Sequence, residues 1–243
     1  MKQSKLPTFF TILLVGSAPV IFFSFSIHLF NTDISSFKTL CKEDGIIENL
    51  QAIFFFLGSL LSLFLGWMLK KDGLKYWAIF YGLLGVLLFL ATGEEISWGQ
   101  RIFRVATPNW YAGVNAQHET NLHNLKGVMG VISWSIDHTL FNLILLAFFG
   151  WFYANRISEN LQPQLWLPHP VLLTYWACFY ARRGFEKIYA SDQLLVPGDA
   201  FSKLQEPVEL IMASSVVVFL VIIFIRYSAL KKNAISTVRL KRK

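Results

Sequence analysis

KYWAIFYGLLGVLLFLATGEEI, residues 75–96, is the stretch that decides the fold. No charged side chain stands between Lys75 and Glu94. At 1.5 Å per helical residue, the 19 steps between those two residues cover about 28 Å. That is close to the ~30 Å hydrocarbon thickness of a bilayer. A helix here crosses a membrane and delivers two adjacent carboxylates to its far edge.

Five further apolar runs repeat the pattern, at about 8–30, 47–69, 133–154, 168–188 and 207–226, with this one at 76–96. The first follows Lys2 and Lys5 and imitates a signal peptide. Its apolar run is longer than the usual 7–15 residues, and its small-residue stretch Gly16-Ser17-Ala18 meets Pro19, so it reads as an uncleaved helix. The fifth carries Arg182, Arg183, Glu186 and Lys187 in its second half, which leaves a membrane-lying segment as the alternative. The expectation is an all-α, polytopic integral membrane bundle of about six transmembrane helices. Residues 1–230 form one helical domain, with no repeat or linker dividing it, and 231–243 form a basic cytoplasmic tail.

Composition agrees. Of 243 residues, 54% are hydrophobic and 16% aromatic, while 15% are charged, against roughly 25% in a soluble domain. Mean hydropathy is +0.48. These values exclude a disordered chain, a basic nucleic-acid-binding domain and a disulfide-stapled module; Cys41 and Cys178 are too few for the last.

The net charge of +7 is a topology signal. With N-in and C-in orientation, thirteen Lys and Arg lie inside, from Lys2, Lys5 and Lys70 to the 231–243 tail, against only Asp72 and Glu159. The outer side then holds nine basic and thirteen acidic residues, so the two sides carry +11 and −4. The tail reads as a topology anchor that attracts anionic lipid, not as a nucleic-acid contact.

Helix depth arithmetic places Glu48, Glu94, Glu95, Asp137 and Glu209 in one thin outer layer, and Glu206 falls beside them. Each has a bland alternative. Glu48, Glu206 and Glu209 sit at helix N-termini, where the macrodipole favours negative charge. Arg182 and Arg183 are able to snorkel to headgroups or to pair with the acidic layer. His28 and His169 read as interfacial residues. Asp137 and His138, ionisable at membrane depth, point more firmly to a role. Continued as one helix, 94–101 would put Glu94, Trp98 and Arg101 on one face. Similarly, a helical 119–123 would pair Glu119 with His123 at i and i+4. A divalent metal, zinc or calcium, would draw on Glu95, Glu119, His123, Asp137 and His138. No H-E-x-x-H, G-x-S-x-G, P-loop or C-x-x-C pattern is present.

E-D-G-x-x-E at 43–48, G-E-E-I-S-W-G-Q-R at 93–101 and N-x-Q-x-E-x-N-L-H-N at 115–124 resemble the motifs of a family of uncharacterised bacterial multi-pass membrane proteins. The resemblance implies location in the bacterial cytoplasmic (inner) membrane and a shared polar site, but no particular reaction. A looser analogy is to ceramidase-like membrane hydrolases, which hold zinc among seven helices; this chain departs from them in span count and in lacking H-x-x-x-H on its last helix.

The leading expectation is a membrane-embedded, metal-dependent hydrolase or transferase acting on a lipid or lipid-linked substrate at the outer interface. Glu94, Glu95, Arg101 and His123 are its candidate catalytic residues. Trp98, Gln100, Gln117, Asn121, Asn124, Arg182 and Arg183 would line the substrate, with Glu43, Asp44, Glu48, Glu206 and Glu209 supporting. A non-catalytic subunit or assembly factor that docks a membrane partner is the alternative. A cation or proton transporter fits less well, because no chain of ionisable groups crosses the midplane.

Overall fold

The computed structural model describes residues 5–42, 45–115, 118–121, 172–191 and 203–240, and all regular secondary structure among them is helical. The elements are α1 (Lys5–Thr32), α2 (Ile34–Leu40), α3 (Ile46–Lys71), α4 (Lys75–Glu95), α5 (Gln100–Phe103), α6 (Asn109–Ala112), α7 (Leu172–Ser191) and α8 (Gln205–Leu240). Four helices are long and apolar enough to cross a membrane: the Val15–Thr32 part of α1, all of α3 and α4, and the Gln205–Lys232 part of α8. The span expected at 133–154 lies outside the described residues.

The α3–α4 hairpin is the spine. Along their seam small residues replace large ones, and the backbones come close enough that a Cβ on Gly66 would lie 3.0 Å from the Ala78 carbonyl oxygen. Gly85 is equally constrained, since a Cβ there would come within 2.7 Å of Leu63. The close approach lets Ser59 Oγ donate to the Gly85 carbonyl at 2.8 Å and Ser62 Oγ to the Tyr81 carbonyl at 2.7 Å. α8 packs on the other side, where Leu65, Leu69, Tyr81, Leu88, Leu220 and Ile223 form a core buried from solvent and lipid alike.

Two ends are distinguishable. At one, Lys231 Nζ donates to both Asp72 carboxylate oxygens at 2.9 Å and the Tyr227 hydroxyl donates to the same group. Those bonds, the tyrosine's first, hold Asp72 below the usual carboxylate range. Lys71 covers the Trp67 ring at 3.6 Å. At the other end, α2 turns the chain back over the bundle. Asp33 caps it, accepting from Ser36 N at 3.0 Å, and Phe30, Phe37, Cys41, Ile47, Leu204 and Leu210 close a second core. Burial, reinforced by the Glu206 charge, pushes the Cys41 thiol up to about 12.

α7 is not among the four strongly apolar helices, yet it does not lie flat. The Tyr175 hydroxyl donates to the Val15 carbonyl at 3.3 Å, and Phe185 meets Phe30 at 6.0 Å between ring centroids. From Val15 to Phe30 is about 22 Å of helix, so α7 runs beside α1 in the same direction through most of the bundle's depth. α8 also exceeds the expected 207–226 span. The 231–240 part of the expected basic tail continues the helix to Leu240, because its Ala, Leu and Lys residues sustain a helix beyond the apolar stretch.

Candidate functional site

α4 ends at Glu95, and the chain leaves helical geometry there. Ser97 and Trp98 have φ of 47° and 55°, left-handed values that non-glycine residues hold at a cost of roughly 1–3 kcal/mol each. Gly99, at φ 75°, completes the reversal without that cost. The expected continuous face of Glu94, Trp98 and Arg101 is therefore broken. Trp98 still reaches Glu94, but by folding back: its indole N–H donates to Glu94 Oε1 at 2.7 Å. The ring then lies over Gly93, where a Cβ would meet it at 2.8 Å. The side chain of Arg101 lies outside the described set.

The reversal brings 97–100 against 115–121. Ser97 Oγ donates to Glu119 Oε2 at 2.5 Å, and Asn121 Nδ2 donates to the same oxygen at 3.0 Å and to Ser97 Oγ at 3.2 Å. Asn115 Nδ2 donates to the Asn121 carbonyl and to its Oδ1, both at 2.9 Å, and Tyr111 donates to that carbonyl at 2.7 Å. Gln100 Oε1 accepts from Thr120 N and Oγ1 at 2.8 Å each, while its amide nitrogen donates to Thr107. Ser97, Asn115 and Asn121 are buried. Each satisfied bond in such a buried network contributes on the order of 1 kcal/mol, and a stranded partner costs more. The same loop exposes Trp98, Ile102, Phe103 and Trp110, the last two 75% and 74% accessible.

The second feature lies on α4's last turn. Glu95 is within electrostatic reach of Glu209, Glu206, Glu48 and Glu94, which come from α8, α3 and α4 itself. Glu209 accepts from the Gln205 amide, and Gln51 Nε2 donates to the Glu206 backbone carbonyl at 3.0 Å. Gln51 is 1% exposed, and its Oε1 has no hydrogen-bond partner among the described residues. An unsatisfied buried amide oxygen is worth ~1–3 kcal/mol of instability until something donates to it. Arg182, also buried, sits one turn from Phe185 on α7. Glu94 links the two features, since its charge and desolvation together hold the Tyr111 phenol above its ordinary value.

Several expected site residues lie outside the described set: Glu43, Asp44, Gln117, His123, Asn124, Asp137 and His138, with the side chain of Arg183. Glu119 is described and is not helical. His118–Thr120 form a bend, with His118 at φ 59°, so the expected i, i+4 pairing with His123 has no helix to rest on. Among the described residues no three His, Cys, Asp or Glu side chains come together as a metal site. Glu119 Oε2 is already taken by Ser97 and Asn121. Trp98, Gln100 and Asn121, expected to line a substrate, make their polar bonds within the loop. Ser97, Asn115 and Gln51 were not among the expected site residues. The first two stand inside the 93–101 and 115–124 motifs, and Gln51 is a polar residue one turn into a span from Glu48, so each carried a signal.

No protein-family model matches this chain, and no curated protein or solved structure matches it.

Proposed function

We propose that the chain is a six-span protein of the bacterial cytoplasmic membrane, N-in and C-in, and a membrane-embedded hydrolase or transferase. Its substrate is a lipid or lipid-linked molecule reached from the outer interface. The observation that carries this reading is the gathering of Glu48, Glu94, Glu206 and Glu209 around Glu95 at one end of the bundle. Carboxylates crowded together divide into protonated and ionised forms, which supplies an acid and a base from one residue type. Glu95, in reach of all four others, is assigned the proton transfer, and buried Arg182 the anionic part of the substrate. The basic end at Asp72 and Lys231 fits the cytoplasmic side. Exposed Trp98, Phe103 and Trp110 fit the opposite interface, where aromatic side chains concentrate. A metal would need ligands from His123, Asp137 or His138, and no step is routed through one here.

A non-catalytic subunit remains the second reading, favoured by the closure of the Ser97–Glu119–Asn121 network upon itself. The two part on one experiment. In proteoliposomes made from inner-membrane lipids, the wild-type chain should convert at least one lipid species, followed by mass spectrometry. Glu95→Gln should slow that conversion by about 10²–10⁴-fold, the usual worth of a general acid or base, at unchanged thermal stability. No converted lipid, with Glu95→Gln unstable, leaves the subunit reading. A reporter fused at Gly113 that proves cytoplasmic would overturn the orientation.

A further inference from the structure

Beneath the carboxylates a cavity of about 330 Å³ opens between α1, α3, α7 and α8, of the size that holds small ligands. Its walls are almost entirely carbon: Ala18 and Pro19 on α1, Phe54 on α3, Tyr175 on α7, and α8 from Leu210 to Val218. The two polar side chains in the lining are spoken for. Ser214 Oγ donates to its own helix at Ile211 O, 2.8 Å, and the Tyr175 hydroxyl donates to Val15 O, 3.3 Å. A ligand therefore meets no free hydrogen-bonding side chain in the described lining.

Position identifies the occupant. Phe54 lies one turn below Gln51, and Leu210 lies one turn below Glu206; Gln51 and Glu206 are bonded to each other. The polar layer is thus the roof of the cleft. The α8 wall descends eight residues from Leu210, about 12 Å toward the middle of the bundle. At that depth the surrounding solvent is hydrocarbon. The cleft exists because Ala18, Pro19 and Ser214 present small side chains where three helices would otherwise close.

We propose that this cleft is an acyl-chain site, holding one fatty-acyl chain of a membrane phospholipid with its linker and headgroup beside Gln51 and the carboxylates. The buried Gln51 Oε1 accepts a hydrogen bond from the polar part of that lipid. The proposal rests on the lipid-processing reading above and specifies how the substrate is held.

The test uses the full chain in nanodiscs with a phospholipid bearing a photoactivatable diazirine midway along one acyl chain, and maps the crosslinks by peptide. Labelling should concentrate on the peptides containing Phe54 and Leu210–Val218. Ser214→Phe and Ala18→Leu, which fill the cleft from two different helices, should each lower that labelling at least fivefold. Val86→Phe, on the exposed face of α4, should leave it unchanged. Two variants guard against one failing to fold, and thermal stability is read on both. Labelling spread evenly over the outer faces of the helices, or unaffected by both filling variants, overturns the site. Concentrated labelling that persists in Glu95→Gln supports the cleft whether or not that variant loses turnover, so failure of the catalytic reading shows separately.

Discussion

The α3–α4 seam and the 97–121 loop both keep polar groups away from water, and they do so by opposite means. Along the seam the backbone is regular helix, glycines bring the two axes together, and only Ser59 and Ser62 reach across. In the loop the backbone is strained at Ser97 and Trp98, and side-chain hydrogen bonds hold it in place. The seam loses little if one hydroxyl goes, because close packing carries it. The loop has little apolar cover, since Ile102, Phe103 and Trp110 point outward, so its bonds carry most of its order. Steric intrusion should therefore damage the seam most, and loss of a single polar group should damage the loop most.

The largest effect expected is at Gly66. A valine there would drive its branched carbon into the Ala78 and Gly82 backbone, which cannot yield as a side-chain tip can. Overpacking of this kind costs about 1–3 kcal/mol, and more where backbone is the obstacle. Gly66→Val should lower the thermal midpoint in detergent sharply. Gly82→Ala, on the same helix pair but with nothing within 4 Å of the added Cβ, should leave it nearly unchanged. Equal effects would mean the seam is not held by close approach.

Next comes Asn121→Ala. It removes the amide that bridges Ser97 and Glu119 and strands Asn115 Nδ2 of one acceptor. A loss of about 1–3 kcal/mol is expected, confined to the loop. Hydrogen exchange should accelerate at residues 97–115 while amides around Ser59–Gly66 keep their protection. Acceleration in both regions would show that the loop and seam unfold as one unit. Ser62→Ala should do less: interhelical hydrogen bonds in membranes average ~0.6 kcal/mol, so a small shift in midpoint is the outcome.

The same contrast explains what was legible beforehand. Spans expected at 47–69 and 76–96 correspond to Ile46–Lys71 and Lys75–Glu95, because an apolar run of bilayer length is a local property of the chain. α2 was not foreseen, since its seven residues, ISSFKTL, have neither length nor a full amphipathic period, though Asp33 stood ready as its cap. Depth arithmetic could set Glu48, Glu95, Glu206 and Glu209 at one level, since rise per residue is fixed. It had no access to the turn after Glu95. Helical periodicity carries forward until a residue takes positive φ, and neither Ser97 nor Trp98 announces that in its identity. The motifs at 93–101 and 115–124 marked the residues that meet, but the partners Ser97–Glu119 and Gln100–Thr120 depend on the fold of the loop between.

The smallest effect expected lies at the far end of the bundle, where neither strain nor close packing is at work. Asp72 joins the α3–α4 turn to Tyr227 and Lys231 near the end of the apolar part of α8. Its folded-state value lies below its ordinary one, first through the tyrosine bond and then through the lysine. A depressed carboxylate contributes stability that is present in full above its unfolded value, about 3.9, and is lost as pH falls through the lower folded value. Between pH 7 and 5 this contact should therefore contribute the same amount, and below pH 4 it should fade. Lys231 is 45% exposed, so screening keeps the effect small, and added salt should shrink it further. Asp72→Asn should flatten the acid limb of a stability-versus-pH curve slightly while leaving loop exchange at 97–121 untouched. An unchanged acid limb would assign the join to the Tyr227 hydroxyl and apolar packing alone.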